Sequence, residues 1–416
     1  MSISATTLPP VQSVVEGPVQ SVVEGPPPAA AQPAVATTPR QALTTRFLDF
    51  WLLGGLSLLV WVIMFATQGF RAAWAIDQHF KNLTITTASL SLIVNYPHFL
   101  ISYKLAYSRG RSFATAHAWQ LIVVPLLLIA TFTYAFLQFN TPVSQLPVFS
   151  TLGRMLAGYG NNARVISGPR LGDVLFALTF NVMIFTVGWH YTKQVFGCMM
   201  VYAFFDKYKF TPRQRTITKY ALLSIWWLNF AQGNQAGGQN TFSQFKYYSF
   251  DLPDVLVPIT TAVVAIGFVA VLYEVFWKNY KQRGQTPGVN MVVPFLALYV
   301  WWLPITRQYE FYFLLTPFFH SLQYLAFVYK MEDMRLRGLE HPEVRGTLIA
   351  FLTIVAGWLA FEFVPNEVDT ALGTFNAWQM FFFFTAAMLF INIHHYFIDN
   401  VLWKFRDPEV QKYLLA

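Results

Sequence analysis

The segment NAWQMFFFFTAAMLFINIHHYFIDNVLWKFR, residues 376–406, decides the class of this fold. It is an almost unbroken apolar run, and about 20 such residues cross a bilayer as a helix. Before its first cation, Lys404, the run contains His394, His395 and Asp399. Ionisable groups at bilayer depth are costly unless they pair, bind a metal or line a wet cavity. The segment therefore predicts a membrane-spanning helix that carries part of a functional site.

The composition of the whole chain agrees with a membrane protein. Of the 416 residues 55% are hydrophobic and only 12% are charged, whereas about a quarter of the residues in a soluble domain are charged. The net charge of +8 does not indicate nucleic acid, because the cations lie in short loops between apolar runs, as the positive-inside rule requires. Cys198 is the only cysteine, which excludes intrachain disulfides and thiolate metal clusters.

Hydropathy predicts an all-α fold, a polytopic transmembrane bundle of about ten helices over residues 46–416. The predicted spans are 47–68, 84–106, 117–138, 172–197, 216–235, 255–277, 289–305, 309–330, 346–365 and 377–403. The boundary between the seventh and eighth spans, with Pro304, Arg307 and Glu310, also permits one broken helix. Residues 1–45 are rich in Pro and Ala and repeat the octapeptide VQSVVEGP, so they are expected to be a disordered tail.

Cations cluster in every second loop, which predicts the orientation of the bundle. Basic loops follow the second, fourth, sixth, eighth and tenth spans, and Arg40 and Arg46 precede the first. The long loop after the third span also carries arginines, but long loops obey the rule less strictly. An even number of spans with both termini in the cytoplasm fits this pattern.

Four of the even-numbered spans carry histidine in their second, cytoplasmic half. These residues are His98, His190, His320 and the pair His394 and His395. His98, His320 and His394 precede the next cation by 6, 10 and 10 residues, or roughly 9 to 15 Å at about 1.5 Å per residue. Lys193 follows His190 closely but can snorkel. His117, at the cytoplasmic start of the third span, is a further candidate.

Polar residues at helical spacing accompany these histidines. Asp399 is i+4 from His395, Gln194 is i+4 from His190, Gln323 and Tyr324 are i+3 and i+4 from His320, and Asn95 is i−3 from His98. Such neighbours share a helix face. Histidines that bind metals usually donate their second N–H to a partner of this kind, so these five residues are predicted to orient the imidazoles.

Three interpretations of the histidines remain open: a shared metal site, a pocket for a quinone, haem or other cofactor, and structural hydrogen bonds between helices. Their common direction and depth favour the metal site. An imidazole-rich set suits iron, copper or zinc and disfavours magnesium and calcium. Iron that activates O₂ against an apolar substrate is the favoured function, whereas zinc would suit a hydrolase with a water-fed site.

The motifs PHF at residues 97–99, HSLQY at 320–324 and HHYFID at 394–399 resemble the Brp/Blh family of membrane β-carotene dioxygenases. The resemblance implies a transmembrane bundle whose histidines, from several helices, hold non-haem iron. It also implies a polyene substrate that is cleaved to retinal. A second resemblance, to integral-membrane desaturases and hydroxylases with HxxxH and HxxHH boxes, rests on the His394–His395 pair alone.

Three classes of function follow from the sequence. The first is a membrane oxygenase that acts on a carotenoid or another apolar lipid. The second is a transporter or channel that uses intramembrane polar groups, which would predict repeated halves with broken helices; the sequence has no clear repeat of this kind. The third is a structural or cofactor-binding subunit of a membrane complex.

Overall fold

A computed structural model describes residues 41–66, 82–83, 85–87, 89–143, 170–235, 241–242, 245–246, 250, 252–303, 306 and 312–415. Most of the predicted N-terminal tail and the predicted break at Pro304, Arg307 and Glu310 lie outside these residues. The part of the tail that is described, residues 41–45, already contacts the bundle, since Leu43 is buried and its backbone N–H donates to Asp49.

Ten helices lie where the ten spans are predicted, so the prediction of an all-α polytopic bundle is confirmed. They are α1 (Arg46–Phe50, Trp51–Gly55 and Leu56–Ala66 in succession), α2 (Asn95–Tyr107), α4 (Trp119–Leu137), α5 (Leu171–Phe205), α6 (Pro212–Gly233), α7 (Leu256–Arg283), α8 (Val289–Trp301), α9 (Tyr312–Leu336), α10 (Pro342–Leu372) and α12 (Phe382–Leu402). Three short helices, α3 (Gly110–Ala116), α11 (Thr374–Trp378) and α13 (Val410–Leu414), and an antiparallel pair of two-residue strands, β1 (Thr241–Phe242) and β2 (Phe245–Lys246), complete the described chain.

Five of these helices are long and apolar enough to cross a membrane, namely α1, α4, α5, α7 and α10. Within a bilayer every backbone polar group needs a partner inside the protein, which a continuous helix provides. The helices thus support a membrane protein by their length and composition. The cytoplasmic placement of both termini stays a prediction.

The four helices that carry the candidate histidines contact one another in the bundle. Helix α12 packs against α2 and α5, and α9 packs against α2. On the other side of α5, helices α6 and α8 pack against it, and α7 packs against α6. The candidate histidines thus lie at the meeting point of α2, α5, α9 and α12.

Helix α2 begins later than the predicted span of 84–106, because residues 91–94 form a turn. Pro97 explains this start. Proline has no N–H to donate to the carbonyl of residue 93, and its ring collides with that carbonyl in a continuous helix. The turn therefore places His98 in the first turn of α2 rather than in the second half of a long span.

The start of α12 is held by a buried carboxylate from α10. Asp369 accepts hydrogen bonds from the backbone N–H groups of Phe383 and Phe384 at 2.9 and 2.8 Å. These N–H groups have no partner within the helix, and a carboxylate both satisfies them and opposes the positive end of the helix dipole. Asp369 thereby fixes the helix that carries His394, His395 and Asp399.

Candidate metal centre

Four helices each contribute one histidine to a single buried group. One ring nitrogen from each of four histidines lies within 4.8 Å of the others; the four are His98 on α2, His190 on α5, His320 on α9 and His395 on α12. Their exposed fractions are 1%, 5%, 7% and 0%. Two nitrogens on opposite sides of one transition-metal ion lie about 4.2 Å apart at bond lengths of about 2.1 Å. The four rings are therefore close enough to hold one ion.

Two of the four imidazoles have a ring nitrogen without a partner. Nε2 of His98 and Nε2 of His395 are buried and have no hydrogen bond to any described residue. The Nε2 atoms of His190 and His320 lie 2.9 Å apart, so one ring can donate to the other. Buried polar nitrogens are normally paired. An ion bound by the group would satisfy the two orphaned nitrogens.

Serine hydroxyls hold the opposite nitrogens of the same two rings. Nδ1 of His98 lies 3.0 Å from Ser321 Oγ, and Nδ1 of His395 lies 2.9 Å from Ser102 Oγ. The Ser102 hydroxyl donates its one proton to the Phe99 carbonyl at 2.6 Å, so its oxygen accepts from Nδ1–H of His395. That tautomer leaves the lone pair of His395 on Nε2, the nitrogen without a partner.

Asp399 lies beside two of the four histidines. Its Oδ2 atom is 3.4 Å from Nε2 of His395 and 3.7 Å from Nε2 of His190. The Tyr324 hydroxyl donates to the other oxygen, Oδ1, at 2.9 Å. The sequence predicts that Asp399 accepts the second N–H of His395, but the structure places it beside the nitrogen that would face the ion. Tyr324, predicted to orient His320, binds Asp399 instead.

The three predicted amide partners bind neighbouring groups other than imidazole nitrogens. Gln194 donates to the His320 carbonyl at 3.0 Å and to the Gln323 side chain at 3.1 Å. Gln323 in turn donates to the Leu53 carbonyl at 2.5 Å. Asn95 donates to Ser91 Oγ at 3.0 Å. Gln194 and Gln323 therefore connect α1, α5 and α9 just behind the histidines, whereas Asn95 bonds within the segment that leads into α2.

His394 and His117 lie outside the four-histidine group. His394 is buried, but its Nδ1 lies 3.0 Å from the Tyr103 hydroxyl and its Nε2 lies 3.5 Å from the Tyr107 hydroxyl, so both nitrogens face α2. His117 is half-buried at the end of α3, and its Nδ1 lies 3.1 Å from the Phe113 carbonyl of the same helix. Of the adjacent pair on α12, it is His395 that joins the other three histidines.

A cavity of about 250 Å³ lies next to the group. His190, Asp399 and Tyr324 are among the residues that line it. Aromatic side chains, Trp189, Tyr396 and Trp403, form much of its wall. The cavity gives a ligand access to two members of the polar group from one side.

No protein-family model, curated protein or solved structure compared with the chain matches it. The four-histidine group is therefore recognised from its geometry. Four neutral nitrogen donors and one adjacent carboxylate suit iron, copper or zinc, as the residue types in the sequence predict. The group can hold a metal ion.

Proposed function

We propose that the chain is an integral-membrane oxygenase that holds non-haem iron on His98, His190, His320 and His395 and oxidises a carotenoid or another apolar lipid. The observation that carries the proposal is the convergence of four buried imidazoles from four helices, two of them with an unpartnered Nε2. Structural hydrogen bonding between helices does not require ring nitrogens to be left without partners. A metal site does.

The donor set favours iron over the other candidate metals. Nitrogen ligands with a nearby carboxylate are typical of non-haem iron sites that react with O₂. A hydrolytic zinc site needs a supply of water, whereas aromatic side chains surround this group. Iron bound here would supply the redox chemistry that activates O₂. Insertion of both oxygen atoms of O₂ across a carbon–carbon double bond yields two carbonyl groups and needs no external reductant.

The residues of the chain would position and shield this chemistry. Asp399, held by Tyr324, places one negative charge beside the histidines and offsets part of the charge of a bound cation. The rings of Tyr191 and Tyr396 lie 4.1 Å and 4.8 Å from those of His320 and His190, measured between centroids, and pack against these two imidazoles. The cavity at His190 and Asp399 would admit the reacting part of the lipid.

Metal analysis combined with oxygen uptake tests the proposal. Purified protein in lipid nanodiscs is expected to contain stoichiometric iron, and to consume O₂ when supplied with a polyene or an unsaturated lipid. Both properties should be lost in His98→Ala, His320→Ala and His395→Ala. His341→Ala, at the exposed start of α10, is the matched control and should keep both. Absence of a transition metal from folded protein, with normal folding of the three variants, would overturn the proposal.

A further inference from the structure

The cavity beside the histidines has two lysines in its wall, Lys193 and Lys404. Among the described residues that line the cavity, they are the only cations. Asp399 is the only acid among the same residues. The rest of the wall is largely aromatic and aliphatic, with Phe327 and Leu414 as examples. The cavity is therefore amphipathic, since positive charges and an apolar wall occur together.

Lys193 is the cation that α5 contributes to the cavity wall. It lies 22 residues after Leu171 and 12 before Phe205 in α5, and it is exposed. Its Nζ donates to the Asn400 side chain and lies 4.3 Å from the centre of the Trp189 ring. No carboxylate of the described residues lies within ion-pair distance of either lysine in the cavity wall. Both lysines are therefore available to pair with an anion in the cavity.

Gly197, one helical turn beyond Lys193, keeps part of the cavity open. A Cβ atom added at Gly197 would meet no atom within 4 Å, although the residue lies in the interior of α5. Gly188 on the same helix has the opposite surroundings, since a Cβ there would lie 2.6 Å from the Trp226 ring. Glycine is unfavourable inside a helix unless something requires it. Close packing explains the glycine at position 188, whereas Gly197 borders open space in the cavity.

We infer that this cavity binds a single-chain lipid with an anionic head group. The head group lies at Lys193 and Lys404, and the apolar chain lies along the cavity wall beside Gly197. The inference rests on the proposed function, and it specifies an amphipathic lipid in place of a wholly apolar one at the same site. A carboxylate and a phosphate are both anions that a pair of lysines recognises, so the shared chemistry is an acyl chain with one anionic end.

Equilibrium binding of radiolabelled oleate to the full chain tests the inference. The protein is held in phosphatidylcholine nanodiscs without O₂, so that binding is measured without turnover. Unlabelled oleate and lysophosphatidate are expected to displace the label, and methyl oleate, which has the chain without the charge, should be at least 10-fold weaker. The stronger of the two anions identifies the head group as carboxylate or phosphate.

Substitutions then assign the binding to the cavity. The double variant Lys193→Met, Lys404→Met should bind both anions at least 10-fold more weakly, with methyl oleate unchanged. Lys281→Met is the matched control, because Lys281 also lies over a tryptophan ring, that of Trp277, but outside the cavity. Gly197→Leu should abolish binding of all three lipids, and Gly197→Ala should weaken it.

A helix glycine outside the cavity gives the control for the glycine variants. A Cβ at Gly346 in α10 would meet only the Leu336 side chain at 3.5 Å, an ordinary contact, so Gly346→Leu should bind like the wild type. Equal affinity for oleate and methyl oleate, or wild-type affinity in the lysine double variant, would overturn the inference. Metal measured on the same samples separates the two ideas. Anion-selective binding without metal removes the oxygenase alone, and metal without anion selectivity removes this inference alone.

Discussion

The Nε2 atoms of His190 and His320 lie 2.9 Å apart, although 130 residues separate the two histidines in the chain. His98 and His395 bring two more nitrogens to the same group, and neither nitrogen makes a hydrogen bond to a described residue. A buried polar group without a partner costs about 1–3 kcal/mol. The junction of α2, α5, α9 and α12 is therefore expected to be more stable when it holds a cation.

Removal of the metal should lower the thermal stability of the bundle. A ligand that binds only the folded state stabilises it by about 4 kcal/mol at 1,000 times its dissociation constant. A strong chelator should therefore lower the apparent Tm of the wild type by several degrees, and added iron should restore it. His395→Ala should show a low Tm that chelator does not change. An unchanged wild-type Tm would contradict a metal that connects the four helices.

The adjacent residues His394 and His395 should differ in metal content. His395→Ala removes one of the four converging nitrogens, so bound metal should fall at least 10-fold. His394→Ala removes contacts to Tyr103 and Tyr107, neither of which belongs to the four-histidine group, and should keep the wild-type stoichiometry. Elemental analysis of the two variants, purified side by side, makes the comparison. Equal loss in both would show that the pair acts as one unit.

Ser102 and Ser321 should contribute to metal affinity without touching the metal. Loss of a group that orients a histidine ligand typically costs 10–100-fold in affinity. Ser102→Ala and Ser321→Ala should each weaken binding by about this factor, measured by competition with a chelator of known affinity. Ser224→Ala is the control, because the Ser224 hydroxyl donates to the Ala221 carbonyl far from the histidines in sequence. Wild-type affinity in both site variants would show that the serines do not orient the rings.

The positions of the helices could be predicted from sequence, because each depends on a local property. A run of about 20 apolar residues needs a helix in a bilayer whatever surrounds it. Each of the ten predicted spans contains a helix, although α2 begins 11 residues later than its span and only five of the ten described helices are long and apolar enough to cross a membrane. The prediction that His98, His190, His320 and one of His394 and His395 share one level of the bundle followed from the alternation of basic loops, also a property of the chain alone, and the structure brings four of these histidines together.

The contacts inside the site depend on helix rotation, which the sequence does not encode when every face is apolar. His394 and His395 are separated by about 100° around α12, and only packing against α2 and α5 decides which one faces inward. Ser102 and Ser321 were missed for a related reason. Each bonds to an imidazole on a different helix, so no i+3 or i+4 spacing connects the partners. Serine within an apolar span was the available signal.

The predicted partners on the same helix illustrate the limit of spacing rules. Gln194 and Gln323 do lie one turn from a histidine, but their long side chains reach across to backbone carbonyls of neighbouring helices. Those carbonyls are His320 O and Leu53 O. Shared faces within a helix therefore identified residues near the site, while contacts between helices decided what each residue does.

The charge of Asp399 should be worth more to metal binding than its hydrogen bond to Tyr324. Four neutral imidazoles leave the full charge of a divalent cation in a low-dielectric interior, and one carboxylate at 3.4 Å from His395 Nε2 halves that charge. Asp399→Asn keeps the shape of the side chain and removes the charge, so metal affinity should fall at least 10-fold. Tyr324→Phe removes one hydrogen bond and leaves the carboxylate, so its effect should be smaller.

Asp369→Asn separates this effect from a general loss of stability. Asp369 is another buried carboxylate, but it binds the first N–H groups of α12 and touches none of the four histidines. Asp369→Asn should lower the apparent Tm and keep the metal content of the folded fraction, whereas Asp399→Asn should lose metal. Chelator competition and thermal unfolding on the three variants distinguish the outcomes. If Tyr324→Phe lost more metal than Asp399→Asn, the hydrogen bond that positions the carboxylate would matter more than its charge.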